Sequence, residues 1–137
     1  MDAMLEALFE AARKARANAH VPYSHFPVGV AILADDGNIY AGCNVENAAY
    51  PVGACAEASA ISAMVTAGGK RITTILVIGT GREPVTPCGG CRQRIREFAG
   101  PETRIVCTGD ATDRTVTYTT DELLPDSFGP HNLDAVR

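Results

Sequence analysis

Gly53-Ala54-Cys55-Ala56-Glu57-Ala58-Ser59-Ala60-Ile61, answered downstream by Pro87-Cys88-Gly89-Gly90-Cys91, decides how the rest of this chain is read. Cys55, Cys88 and Cys91 are three soft ligands, and zinc in proteins takes about four. A structural site needs a fourth protein ligand, whereas a site that performs chemistry leaves that position to water. Glu57 stands two residues beyond Cys55, near enough to such an ion to handle a proton without binding it. The spacing of Cys88 and Cys91 lets one turn present two sulfurs to a single ion. A redox Cys-x-x-Cys also opens a helix near a strand. The remote Cys55 with its Glu, and Pro87 before the first cysteine of the pair, favour zinc.

Working outward, both cysteine clusters fall where a loop turns into a helix. One helix is expected over 55–66, ended by Gly68-Gly69, and another over 88–98. Between them, Thr-Thr-Ile-Leu-Val-Ile-Gly at 73–79 is the clearest core strand. Upstream, the apolar run 28–33 reads as a buried strand, Asp36-Gly37 as a hairpin turn and 39–43 as the returning strand. Met4, Leu5, Leu8, Phe9 and Ala12 recur at helical spacing, so a helix is expected over 2–19 with Asp2 as its N-cap, ended before Pro22. Downstream, 104–108 reads as a strand, 116–119 as a weaker edge strand and 121–124 as a helical turn before Pro125. This order predicts an α/β domain with helices covering a mixed sheet. It also has a chemical consequence. Three thiolates around Zn²⁺ leave a surplus negative charge, and helix N-termini bring partial positive charge and N–H donors to the sulfurs.

At 137 residues the chain is read as one domain, 1–137, and its 46% hydrophobic and 20% charged residues suit a folded chain rather than a disordered one. Twelve Lys and Arg against sixteen Asp and Glu give a net charge of −4. That argues against a nucleic-acid partner, since backbone affinity rests on excess positive charge. No apolar run approaches the roughly 20 residues of a membrane helix. Asp2 and Glu6 stand where an export signal carries Lys or Arg. A cytoplasmic, reduced protein is therefore expected, whose five cysteines serve thiolate chemistry rather than a disulfide scaffold.

Cys-x-Glu followed by Pro-Cys-x-x-Cys is the pattern of zinc-dependent base deaminases, with Cys at the first ligand position. Glu57 has a plainer reading as a first-turn acid answering the helix dipole. The same geometry aims its carboxylate at the water such an ion activates, which favours a proton-transfer role. Cys107 falls in a strand and is expected as buried packing. Cys43 as a fourth ligand would make the site structural. His20, His25 and His131 have no ligand spacing to the cysteines.

Nearly end to end, the chain resembles the small, homotetrameric cytidine deaminases. The resemblance runs through Pro22-Tyr23-Ser24, Phe26-Pro27-Val28-Gly29 and Gly42-Cys43-Asn44-Val45-Glu46-Asn47-Ala48-Ala49-Tyr50. It continues through Cys55-Ala56-Glu57, Pro87-Cys88-Gly89-Gly90-Cys91-Arg92-Gln93 and Glu122-Leu123-Leu124-Pro125 with Phe128. It implies a three-layer α/β/α sandwich around a mixed five-stranded sheet, with one Zn²⁺ per subunit. It implies hydrolysis of cytidine and 2′-deoxycytidine in pyrimidine salvage, with active sites near the subunit interfaces of a tetramer. Asn44 and Glu46 would hydrogen-bond the ribose hydroxyls, chemistry that an amide and a carboxylate suit. Phe26 would pack on the pyrimidine, and the Ala56 backbone and Thr86 carbonyl would face its polar edge. Tyr50 and Phe128 would contribute to a neighbouring subunit's pocket.

Two features depart from that family. Many of its members carry Arg directly after the Glu, offsetting the thiolate charge, where this chain has Ala58. Arg92 and the two helix N-termini are the candidates to replace it. The second is the run Arg92, Arg94, Arg96, read as a solvated or subunit-facing helix surface in preference to a nucleic-acid patch. Three rival readings follow. One is a deaminase of another aminated ring such as blasticidin S, whose family also lacks the Arg. Another is a polynucleotide editor, and the last a structural zinc module without a reaction.

Overall fold

The computed structural model describes residues 2–134. Asp2 accepts the Leu5 amide at 2.7 Å and starts α1 (Ala3–Ala17), whose apolar stripe buries Leu8 and Ala12. β1 (Gly29–Ala34) and β2 (Ile39–Cys43) form the expected hairpin, with Gly37 at φ 83° in the turn, a conformation glycine adopts without strain. After a short 3₁₀ turn (Tyr50–Val52) come α2 (Ala56–Thr66), β3 (Ile72–Gly79), α3 (Gly89–Phe98), β4 (Ala99–Gly109) and β5 (Thr115–Tyr118). Two short helices close the described chain, α4 (Thr120–Leu123) and α5 (Pro130–Asp134).

The sheet order is β2-β1-β3-β4-β5, antiparallel at every pairing except β3 with β4. It is the mixed five-stranded sheet expected, and β5 lies at its edge. Alternate residues face opposite layers. Ala31, Leu76, Ile78 and Val106 pack with Leu8 and Ala12 of α1. Val30, Ile32, Ile75, Val77, Ile105 and Cys107 pack with Ala60 and Met64 of α2, Ile95 of α3 and Leu123 of α4. The three layers are thus one helix, the sheet, and a second helical layer.

β4 begins five residues earlier than the 104–108 run suggests. Ala99 pairs with Ile72, the register shifts, and Arg104 then pairs with Thr74. Thr103 closes that irregularity, its buried hydroxyl donating to the Ile72 carbonyl at 2.7 Å and accepting from the Gly100 amide at 2.9 Å. The pairing is long-range, so the Gly100-Pro101 sequence gives no local sign of it. α5 likewise carries no helical periodicity in its five residues.

The topology decides where the site lies. β1 enters and β2 leaves at the edge where β3 and β4 end, since Gly29 pairs with Cys43 and Ile78, and Ile78 pairs with Thr108. α2 connects the end of β2 to the start of β3, and α3 connects the end of β3 to the start of β4. Both helices lie on one face, so both N-termini open at the same end of the sheet. Ligands of open α/β sheets gather at such ends.

Candidate metal centre and active site

Cys55 is the N-cap of α2 and Cys88 the N-cap of α3, each in extended conformation before its first helical residue. Cys91 lies in the first turn of α3 and is fully buried. The three sulfurs stand within 4.8 Å of one another, and no fourth His, Cys, Asp or Glu joins them among the described residues. Cys43, at the end of β2, is outside the group, so the four-ligand structural reading has no fourth side chain here. Three thiols at two helix N-termini are a donor set that fits zinc.

Their ionisation reflects the crowding. Burial pushes the Cys55 and Cys91 thiols up, with neighbouring negative charge adding to the rise. Burial opposes ionisation at Cys88 too, but the Cys91 amide and the other two thiols outweigh it and lower that group. A divalent cation overrides these preferences by taking the thiolates as ligands.

Glu57, in the first turn of α2, is only 5% exposed. Burial raises its carboxyl, while its own amide, the Cys91 thiol and the Arg94 charge pull the other way. Cys107 is fully buried in β4, as expected of packing, and its thiol is pushed up to about 12 by burial and then by Glu57. A hollow of about 170 Å³ is lined by Cys55, Ala56, Glu57, Thr86 and Cys88, with Asn44 and three valines completing it. That is below the roughly 300 Å³ of a drug-sized pocket. It suits a single reacting ring whose substituent projects outside.

The other candidates are placed less directly. The Asn44 side chain accepts from the Val28 amide at 2.9 Å and donates to the Phe26 carbonyl at 2.9 Å. Glu46 accepts from the Tyr23 and Ser24 amides at 3.0 and 3.1 Å and from the Ser24 hydroxyl. Both therefore hold the 23–28 loop. Each retains capacity, the amide one N–H and one lone pair, the carboxylate a free lone pair. Phe26 is exposed in that loop and is not among the lining residues. Tyr50, 74% exposed, lies beside Tyr23 with ring centroids 5.6 Å apart and lines a separate hollow with Glu46. Phe128 lines a third, with Arg96 and His131. The site residues thus divide into a converged group around the sulfurs and an outlying group.

The arginine run is not a free basic stripe. Arg92 donates to the Pro87 carbonyl at 2.7 Å, the Leu123 carbonyl at 2.9 Å and the Thr86 hydroxyl at 3.1 Å. It does not reach a sulfur through any of these bonds. Arg96 donates to the Ser127 hydroxyl at 3.0 Å. Arg94, exposed on the helix, also donates to Cys91 Sγ at 3.4 Å, a contact that the reading of the run as a solvated or subunit-facing surface did not include. The available signal was spacing, because residues three apart on a helix are neighbours.

The chain is similar to known proteins in sequence and in fold. The family model for the cytidine and deoxycytidylate deaminase zinc-binding region matches residues 3–108. The chain is 42% identical over 132 residues to a cytidine deaminase of Sporosarcina psychrophila, with 94% of each chain covered. It is 39% identical over 126 residues to the cytidine deaminase of Mycobacterium tuberculosis, covering 92% of this chain and 90% of that one. Among solved structures, the cytidine deaminase of Burkholderia pseudomallei superposes with a TM-score of 0.85 at 39% identity, over 93% of this chain and all of the other. Matched in sequence over most of its length and in the path of its backbone, the chain belongs to the zinc-dependent cytidine deaminase family.

Proposed function

We propose that this chain hydrolyses cytidine and 2′-deoxycytidine at C4, releasing ammonia and leaving uridine or deoxyuridine. The observation that carries the reading is a three-sulfur cluster without a fourth side-chain ligand among the described residues, two of its cysteines sharing one hollow with a buried carboxyl. Cys55, Cys88 and Cys91 would hold zinc, which when bound would supply the Lewis acidity that lets water ionise near neutral pH. Glu57 would take one proton from water as its oxygen bonds to C4 and deliver it to ring N3, then take the remaining C4 hydroxyl proton and pass it to the amino nitrogen, so that the C4–N bond breaks to ammonia and C4 is left as a carbonyl. A carboxyl raised by burial suits both directions of that transfer.

Ala56 and Thr86, which line the hollow, offer a backbone N–H and a carbonyl to the polar edge of the base. Asn44 and Glu46 use their remaining hydrogen-bonding capacity on the sugar hydroxyls, and Phe26 packs on the ring. Tyr50 and Phe128 serve a neighbouring copy in a homotetramer. The catalytic unit spans 1–137 and acts on free nucleosides in cytoplasmic pyrimidine salvage. No described helix is long and apolar enough to cross a membrane. The net charge of −4 and the engaged arginines offer no track for a polynucleotide.

The test is turnover of a substrate panel by the zinc-loaded protein and its Glu57→Gln variant. Cytidine turnover should fall by roughly a hundred- to ten-thousandfold in the variant, with zinc content unchanged by atomic absorption. Undiminished turnover would remove Glu57 from the chemistry. Activity on blasticidin S or single-stranded oligonucleotides, with none on cytidine, would overturn the substrate assignment.

A further inference from the structure

With the sulfurs read as a metal centre, on which this inference rests, one charge is left to balance. Three thiolates exceed a divalent ion by one negative charge, and Glu57 adds a carboxyl in the hollow that Cys55 and Cys88 line. The partial charges of two helix N-termini meet part of this. A full positive charge must come from a side chain. Ala58, three residues beyond Cys55, carries a methyl group. All three of Arg92's hydrogen bonds go to oxygens.

Among the described residues, Arg94 is the guanidinium that donates to a ligand sulfur. It stands three residues after Cys91 on α3, and its Nη1 donates to Cys91 Sγ at 3.4 Å. The side chain folds back along the first turn, with Nη1 3.4 Å from where a Cβ on Gly90 would stand. The bare Gly90 backbone leaves that path open. An arginine has only donors to offer, so the contact is meaningful only toward an electron-rich sulfur. Cys91 is wholly buried, and the guanidinium approaches it from the exposed side of α3.

We propose that Arg94 is a positioning residue of the metal centre, holding the Cys91 thiolate by an N–H···S bond and offsetting the charge of the three-sulfur cluster. It touches no reacting atom. Its effect is on metal retention and on the electron density at Cys91, and through these on turnover. Because position 58 bears to Cys55 the sequence spacing that 94 bears to Cys91, an arginine there can take over the task.

The experiment compares the full-length protein with Arg94→Leu, Arg94→Gln and the double variant Ala58→Arg/Arg94→Leu. Zinc affinity is measured by competition with a chromophoric chelator. The cobalt-substituted proteins are examined for the thiolate-to-metal charge-transfer band, and circular dichroism reports the fold. Both single variants should still take one ion per chain, with affinity lowered roughly ten- to a hundredfold. Their charge-transfer band should move to lower energy, because a sulfur without its donor gives up electrons more readily. The double variant should recover most of the affinity. Unchanged affinity and an unshifted band in a folded single variant would overturn the role of Arg94. Should Arg94→Leu fail to fold, Arg94→Gln carries the same two readouts. A wild-type protein that binds neither zinc nor cobalt would instead overturn the metal reading itself, and this inference with it.

Discussion

At Glu46 a single carboxylate pins the turn at Tyr23 and Ser24 against the segment that follows β2. The Ser24 hydroxyl is the main cause of its lowered pKa, helped by the Ser24 and Tyr23 amides and opposed by burial. A carboxyl held below its ordinary value of 4.5 stabilises the fold above that pH. The contribution is lost as pH falls through the depressed value. Glu46→Gln should therefore lower the melting temperature at neutral pH, and the gap to wild type should close in acid, once the pH has fallen below the depressed value. Thermal melts at the two pH values check this. A gap that persists in acid would mean the carboxylate charge is not what holds the loop. Glu57 has the opposite sign, since burial raises it. Its ionisation costs folding stability in the metal-free chain, which fits the proton-transfer role proposed for it.

At the level of elements, the site depends on how α2 is seated. Gly42 of β2 lies directly beneath it, and a Cβ there would stand 2.5 Å from the Ala60 amide nitrogen and 2.8 Å from Ser59 Cβ. Those are backbone and rigid side-chain atoms, so the helix itself must shift to accept a methyl group. Gly42→Ala should cost about 1–3 kcal/mol by overpacking. Since α2 carries Cys55 and Glu57, the same shift should weaken zinc retention. Urea denaturation and zinc stoichiometry after dialysis measure the two effects, and a variant with native stability would show that α2 has slack. α3 is fixed from the other side. Leu123 packs into the core beneath it, and the Leu123 carbonyl receives Arg92. The Thr119 capping box starts α4 and sets that carbonyl in place. The tail motif that resembles the family thus has a local task, anchoring the helix that bears two of the sulfurs.

On the scale of the whole molecule, the chain leaves Tyr50, Val52 and Phe128 74%, 67% and 57% exposed. Exposed apolar groups of this kind are what the assembly proposed above would cover. The proposed tetramer predicts a sedimentation mass four times the 14.4 kDa of one chain. It also predicts that Phe128→Ala raises KM more than it lowers kcat. A fully active monomer would remove Tyr50 and Phe128 from the substrate site and leave the converged group of residues to work alone. The topology explains why that converged group exists. A parallel β3–β4 pair requires a crossover helix. The crossover begins where β3 ends, beside the N-terminus of α2.

Much of this was readable from residues that act locally. Helical spacing in α1, the unbroken apolar run of β3 and the glycines after α2 each mark an element through its own few neighbours. The Cys88/Cys91 spacing marks a metal site for the same reason, as one turn suffices to bring two sulfurs together. Cys55 and Glu57 were legible as partners of that turn only through the motif, since 33 positions separate Cys55 from Cys88. Only the folded chain decided the early start of β4, where Thr103 must find the Ile72 carbonyl across the sheet. The fold also assigned the arginines, sending Arg92 to three oxygens and turning Arg94 back onto Cys91. A sequence records which groups can donate; which acceptor each one meets depends on packing between distant segments, and that is settled in three dimensions.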